Sequence, residues 1–221
     1  MIRLLDPAAD SNVGSLAHVS ALVPASTLDL SGSIRSLSGH SGLLDGAMRF
    51  AAVYLIVAAA LMMIPLWLRS DGLRAVVAAA LGAFLAVALT AGIGMLWDRP
   101  RPFVAEHFTP LISHAADASF PSDHLAALGA VTICVWFASR RLGFMVGLIA
   151  LVVAFARVYV GVHFVSDVVG GFALGLACGA VMWWATSHAQ DVLERANTLL
   201  VRWHLRPASA DAPRHSLAKV P

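Results

Sequence analysis

Residues 142–187 read LGFMVGLIALVVAFARVYVGVHFVSDVVGGFALGLACGAVMWWATS and contain two apolar runs, Leu142–Gly161 and Phe164–Ser187, joined by a short turn. A helix needs about 20 mostly apolar residues to cross a bilayer, and each run is long enough. A helix also satisfies its backbone hydrogen bonds within one segment, which the interior of a membrane requires. The stretch therefore predicts two neighbouring membrane-spanning helices.

Three further apolar runs lie upstream, at Ala47–Leu68, Ala75–Trp97 and His124–Ser139, the last of which is short. Over all 221 residues, 59% are hydrophobic and only 13% are charged, whereas about 25% are charged in a typical soluble domain. The composition excludes a soluble protein. We predict an all-α integral membrane protein, a bundle of five clear transmembrane helices.

Two weaker patterns add to this bundle. Leu30, Ile34 and Leu37 recur at helical spacing among Ser, Gly and Arg residues, which predicts an amphipathic helix at the membrane interface and a six-helix core. On the last span, glycine repeats every four residues and predicts close packing against another helix. These glycines are Gly171, Gly175 and Gly179.

Basic residues mark one side of the predicted bundle. They lie in two of the connections and in the C-terminal tail, at Arg69, Arg74, Arg140, Arg141, Arg195, Arg202, Arg206, Arg214 and Lys219. Because Lys and Arg accumulate in cytoplasmic segments, these segments are predicted to be cytoplasmic in a multi-pass protein of the cell membrane. Residues 98–123, the turn at Gly161–His163 and the N-terminus then lie on the outer face.

The chain is accordingly divided into three parts. Residues 1–46 form an N-terminal segment with the interfacial helix, residues 47–187 the transmembrane domain, and residues 188–221 a cytoplasmic tail that is helical at its start. The first part lacks a basic start followed by a compact apolar core, so we expect no secretory signal there.

Three segments bring polar residues to the predicted outer edge of the membrane, namely Trp97–Phe103, Ala118–His124 and Ala156–Asp167. Considered singly, their residues have ordinary explanations. Arg99 and Arg101, beside prolines, resemble interfacial anchors, and His124 resembles a helix cap. Arg157 is costly inside a span, although its long side chain can reach the interface. Their convergence on one membrane face favours a shared function.

Together these residues match what a phosphate ester requires. The guanidinium groups of Arg101 and Arg157 can neutralise non-bridging oxygens through bidentate hydrogen bonds. Asp167 lies four residues after His163, on the same helical face, where a carboxylate can fix the imidazole tautomer. One imidazole held in this way can attack phosphorus, while a second, protonated one gives its proton to the leaving oxygen.

The order Arg-Pro, then Pro-Ser-x-His, then Arg-x5-His-x3-Asp resembles the type-2 phosphatidic acid phosphatase superfamily, from about Ser38 to Ser187. The stretch HAADASFPSDH, which ends at His124, is similar to the bacitracin-resistance branch of that superfamily, the bacterial undecaprenyl-diphosphatases. Asp123 fits this branch, since most of the superfamily has glycine there.

The resemblance implies a role for each residue. His163 would be the nucleophile that forms a phosphohistidine, with Asp167 orienting it and His124 as the general acid. The phosphate would be held by Arg101, Arg157, Ser122, Asp123 and Arg99. No metal or cofactor is expected, and the partners would be the bilayer and a polyprenyl diphosphate lipid, with no nucleic acid.

This sequence departs from the superfamily at one phosphate-binding position. Gly94 stands where the superfamily has a lysine, and Arg99 is expected to substitute for it in part. His107 and His114 lie in the connection before the third span. They could contact a second phosphate, although the interpretation as solvated loop histidines is favoured.

Several functions stay open on this reasoning. The leading one is hydrolysis of undecaprenyl diphosphate to the monophosphate, which recycles the cell-wall lipid carrier. Rival substrates are phosphatidic acid, phosphatidylglycerol phosphate and a lipid A phosphate. A small transporter with Arg157 and Asp167 as an intramembrane relay is less favoured, because a relay should place ionisable groups in both halves of the bilayer.

Overall fold

The computed structural model describes residues 25–69, 72–203 and 205. Within these residues the chain forms nine helices and no strand, which confirms the predicted all-α class. The helices are α1 Ala25–Arg35, α2 Gly42–Leu61, α3 Ile64–Trp67, α4 Leu73–Leu96, α5 Pro102–Ala105, α6 Asp123–Ala138, α7 Arg140–Tyr159, α8 Val165–Ser187 and α9 Gln190–Arg202.

Four stretches of the described residues are long and apolar enough to cross a membrane. They are Gly42–Trp67, which joins α2 and α3, and helices α4, α7 and α8. The first of these is interrupted after Leu61, because Pro65 in the first turn of α3 has no N–H with which to continue α2. Helix α6 is apolar but has only 16 residues, so a fifth membrane crossing stays a prediction.

Helix α6 lies at the centre of the bundle and packs against α4, α7 and α8. Its contact with α8 is made through glycine. A Cβ atom added to Gly175 would lie 2.0 Å from the carbonyl oxygen of Ala126, and one added to Gly171 would lie 2.3 Å from that of Ser122. Only residues without a side chain allow this approach. The predicted packing face on the last span is confirmed.

This close packing brings four helix ends together. Helices α4 and α7 end, and α6 and α8 begin, at the same end of the bundle. Residues 97–122, here called the site loop, lie across that end. The loop is tied to its neighbours by backbone hydrogen bonds, in which the Leu111 N–H donates to the Val160 carbonyl (3.0 Å) and the Ser122 N–H donates to the Asp167 carbonyl (3.1 Å).

The N-terminal helix is also joined to this end. Helix α1 packs against α7 and α8, and the Val165 N–H donates to the Ser31 hydroxyl at 3.0 Å. A helix is present where one was predicted but ends at Arg35, before Leu37, and its location at the membrane interface stays a prediction. Ile34 packs on the core, while Leu30 is half exposed.

The tail begins with helix α9, as predicted, and none of its residues is buried. Residues 1–24 lie outside the described residues, as do Arg206, Arg214 and Lys219 of the tail. The expectation about a secretory signal therefore concerns a part of the chain that the structure does not describe.

Candidate active site

The centre of the polar cluster is His163, on the turn between α7 and α8. Helix α7 ends at Tyr159, and Gly161 then adopts a φ of +85°, a left-handed conformation that favours glycine. The turn folds the imidazole inward, so that only 1% of His163 is exposed. A turn of five residues between two long helices thus places a buried imidazole at the end of the bundle.

The two ring nitrogens of His163 have different surroundings. Nδ1 lies 3.0 Å from the carbonyl oxygen of Ser119 and 3.5 Å from Oδ2 of Asp167. Both partners accept hydrogen bonds, so Nδ1 carries the proton and Nε2 keeps its lone pair. Burial lowers the pKa of His163 to about 4, which the hydrogen bond to Asp167 opposes and the Arg157 charge reinforces. The imidazole is therefore neutral near pH 7.

Two guanidinium groups converge on Nε2 of His163. Arg101 Nη1 lies 3.3 Å from it and Arg157 Nη2 lies 3.2 Å from it. Arg101 Nη1 also donates to the carbonyl oxygen of Val162 at 3.0 Å. Both arginines are almost completely buried. Two buried cations side by side are costly unless an anion joins them, so this arrangement suits a bound anion in front of Nε2.

The site loop holds the outer sides of the same two arginines. Asp117 Oδ1 accepts a hydrogen bond from Arg101 Nε at 2.8 Å, and His114 Nε2 lies 3.1 Å from Arg157 Nη2. Burial lowers the pKa of His114, and the charge of Arg101 lowers it further. A neutral His114 accepts from Arg157. The sequence favoured a solvated histidine here, and the structure instead brings His114 into the site.

Two other residues singled out in the sequence, His107 and Arg99, lie outside the cluster at Nε2 of His163. His107 is exposed on the site loop, at a φ of 53°. Arg99 is directed at the carboxylate of Asp167, with its Nη1 atom 3.1 Å from Oδ1. Its guanidinium does not join the pair at His163 Nε2. The partial substitution of Arg99 for the missing lysine at Gly94 stays a prediction.

The start of α6 supplies three of the predicted residues. The Ser122 hydroxyl is fully buried and has no hydrogen-bond partner among the described residues. The carboxylate of Asp123 is directed to its neighbour His124, with Oδ1 accepting from the backbone N–H at 2.8 Å and lying 2.9 Å from Nδ1. This contact holds the ring of His124, the residue predicted to be the general acid.

A cavity of about 730 Å³ opens between the end of α4 and the start of α6. Arg101 and Asp123 line its polar side, and Gly94 and Met95 line the side formed by α4. Met95 is 85% exposed on the outside of the bundle. The cavity therefore runs from Arg101 towards the apolar surface, a shape that suits a lipid with a charged head.

Comparison with known proteins agrees with this chemistry. The family model of the PAP2 superfamily matches residues 71–191. The chain is 36% identical over 171 residues to the undecaprenyl-diphosphatase BcrC of Bacillus subtilis, an alignment that covers 76% of this chain and 86% of that protein. It is 40% identical over 90 residues to phosphatidylglycerophosphatase B of Bacillus subtilis, which covers 36% of this chain and 42% of that protein. The crystal structure of Aquifex aeolicus LpxE aligns with a TM-score of 0.60 and 25% identity, over 70% of this chain and 93% of that one.

Proposed function

The chain belongs to the PAP2 superfamily and is a membrane lipid phosphatase, and from this premise we propose that it hydrolyses undecaprenyl diphosphate to undecaprenyl phosphate through a phosphohistidine. The observation that carries the proposal is the convergence of two buried guanidinium groups on the free nitrogen of a buried, neutral imidazole. The similarity to an undecaprenyl-diphosphatase over most of both chains supports the choice of lipid.

In the first step, Nε2 of His163 attacks the terminal phosphorus atom of the substrate. An N–P bond forms as the bond from phosphorus to the bridging oxygen breaks, and the lipid monophosphate leaves with the bonding electron pair. The ring becomes positively charged, and Asp167, at 3.5 Å from Nδ1, compensates that charge. The Ser119 carbonyl keeps the Nδ1 proton in place meanwhile.

Arg101, Arg157 and the Ser122 hydroxyl would hold the transferred phosphate. The Nε atom of Arg157 and the Ser122 hydroxyl are both buried without a hydrogen-bond partner among the described residues. Buried polar groups normally have a partner. Arg99 Nε and Arg74 Nε also lack one within the described part of the chain, so the support for an anion site comes from the position of Arg157 beside Nε2 of His163. Donors fixed in advance stabilise charge that develops on the oxygens in the transition state.

His124 would act as the general acid and then as the general base. It gives a proton to the leaving oxygen in the first step, and Asp123 Oδ1, 2.9 Å from Nδ1, holds its ring. In the second step it takes a proton from a water molecule that attacks the phosphohistidine. The N–P bond then breaks, and inorganic phosphate leaves.

The remaining features of the proposal concern the membrane. We place the site on the outer face, because the basic residues Arg74 and Arg140, at the starts of α4 and α7, lie at the other end of the bundle. Residues 47–187 would form the transmembrane domain, with α6 as its fifth and short crossing and α1 as the peripheral helix. This location gives the enzyme access to lipid diphosphate released outside the cell.

Phosphate release by the purified protein tests the proposal. Undecaprenyl diphosphate and phosphatidic acid are compared side by side in detergent, each with and without EDTA. We expect faster release from the diphosphate and no loss with the chelator, since arginines and the Ser122 segment supply the positive and polar groups that hold phosphate. Complete loss with EDTA that magnesium restores would refute the mechanism.

Another lipid phosphate is the second candidate substrate. The similarity to phosphatidylglycerophosphatase B covers 42% of that protein and supports it. Faster release from phosphatidylglycerol phosphate, phosphatidic acid or a lipid A phosphate than from the diphosphate would favour this candidate. The transporter alternative has less support, because His163, Asp167 and the arginines that contact them gather at one end of the bundle.

A further inference from the structure

Asp167 is completely buried and has partners on two sides. Its Oδ2 atom faces the imidazole of His163 at 3.5 Å and accepts hydrogen bonds from the Phe164 N–H at 2.7 Å and from the Ser119 hydroxyl. Its Oδ1 atom forms an ion pair with Nη1 of Arg99 at 3.1 Å and makes no hydrogen bond within the described residues. The carboxylate therefore stands between a neutral ring and a cation.

Arg99 is as deeply buried as its partner, with 2% of the residue exposed. Its Nη2 donates to the Ser166 hydroxyl at 2.6 Å, and its guanidinium carbon lies 4.9 Å from the centre of the Phe164 ring. A buried charge without a partner is strongly destabilising. Within the described residues, Asp167 is the carboxylate that pairs with Arg99, so the two charges compensate each other.

We propose that Arg99 is a positioning residue, which holds the Asp167 carboxylate against Nδ1 of His163 and does not bind the phosphate. The inference rests on the proposed function and assigns a role within it. Fixing Oδ1 by an ion pair leaves Oδ2 directed at the imidazole, and this fixes the tautomer in which Nε2 is free to attack. Partners of this kind, which act through a reacting residue, typically change activity about 10–100-fold when they are removed.

The proposal predicts a different kinetic signature for each of two neighbouring arginines. Arg99→Met should lower kcat about 10–100-fold and leave KM within about 2-fold, because phosphate binding is untouched. Arg101→Met should raise KM as well, since it removes a guanidinium at His163 Nε2. Arg99→Lys keeps the charge next to Asp167 and should recover part of kcat. A rise in KM for Arg99→Met like that of Arg101→Met would overturn the proposal.

A double-mutant cycle with Asp167 gives a second and independent readout. If Arg99 acts only through Asp167, then Asp167→Asn and the double variant Arg99→Met/Asp167→Asn should have the same residual kcat within about 2-fold. The double variant removes both charges of the pair, so it avoids the unpaired buried charge that each single variant leaves, and the melting temperature is measured for all three variants. Losses that multiply in the double variant would refute a shared pathway.

Arg74 provides a matched control at the other end of the bundle. Its guanidinium carbon lies 4.2 Å from the Trp183 ring, and its Nη2 donates to the Trp183 carbonyl at 2.9 Å. Arg74→Met should change the melting temperature without changing kcat. A wild-type protein inactive on every lipid phosphate would overturn the proposed function and this inference together. An active wild type with independent losses would overturn only the role of Arg99.

Discussion

Acid should destabilise this protein through the buried imidazole of the site. Burial lowers the pKa of His163 to about 4 from its ordinary 6.5, the hydrogen bond to Asp167 opposes this, and the charges of Arg157 and Arg101 add to it. A group whose pKa is depressed on folding binds its proton more readily in the unfolded chain, so the folded state loses stability as the pH falls. The loss begins near pH 6.5 and is complete near pH 4.

The size of this loss follows from the two pKa values. Each pH unit between them is worth about 1.4 kcal/mol, so the interval from 6.5 to about 4 amounts to about 3 kcal/mol. Native stabilities of protein domains are about 5–15 kcal/mol, and a loss of this size is measurable. His163→Gln removes the titrating ring and keeps a polar side chain, so the variant should lack this part of the pH dependence.

Thermal melting in detergent, followed by tryptophan fluorescence between about pH 7 and pH 4.5, checks the prediction. The melting temperature of the wild type should fall more steeply than that of His163→Gln. His107→Gln, which alters an exposed histidine of the site loop, should follow the wild type. His114 also titrates with a lowered pKa, but it is present in all three proteins and cancels in the comparison. Parallel curves for wild type and His163→Gln would refute the neutral, buried nucleophile.

Three further predictions concern the acid, the sidedness and the helix packing. His124→Ala should slow phosphatidic acid hydrolysis by about 10²–10⁴-fold. It should slow undecaprenyl diphosphate hydrolysis by less, because a lipid monophosphate leaves more easily than an alkoxide. Equal losses for the two substrates in phosphate-release assays would contradict the acid role. A reporter fused after Ser187 should behave as cytoplasmic and a tag at His114 should be labelled from outside, whereas the reverse pattern would exclude an outer-face site. Gly175→Leu should lower the melting temperature, at a cost of about 1–3 kcal/mol or more, since its Cβ would lie 2.0 Å from a carbonyl oxygen of α6. Gly92→Leu, which points into open space, should not, and similar effects of the two would contradict the packing.

Local patterns in the sequence predicted the helices and the glycine packing face. They did not predict the side-chain contacts between residues far apart in the chain. Apolar length and four-residue spacing are properties of one segment, so they can be read without knowing the fold. The contact between His114 and Arg157 joins residues 43 positions apart and depends on the path of the site loop. The ion pair between Arg99 and Asp167 also joins distant parts of the chain, so it depends in the same way on how the bundle folds.

The contacts of Asp167 explain why catalysis and helix assembly depend on the same residue. Its carboxylate accepts from the Ser119 hydroxyl and the Phe164 N–H, and its backbone carbonyl accepts from the Ser122 N–H at 3.1 Å. With Arg99, which follows α4, these contacts join the end of α4 and the start of α6 to the start of α8. Loss of Asp167 would therefore loosen three segments as well as the imidazole. It follows that the kcat of any Asp167 variant reports catalysis only when its melting temperature is measured alongside.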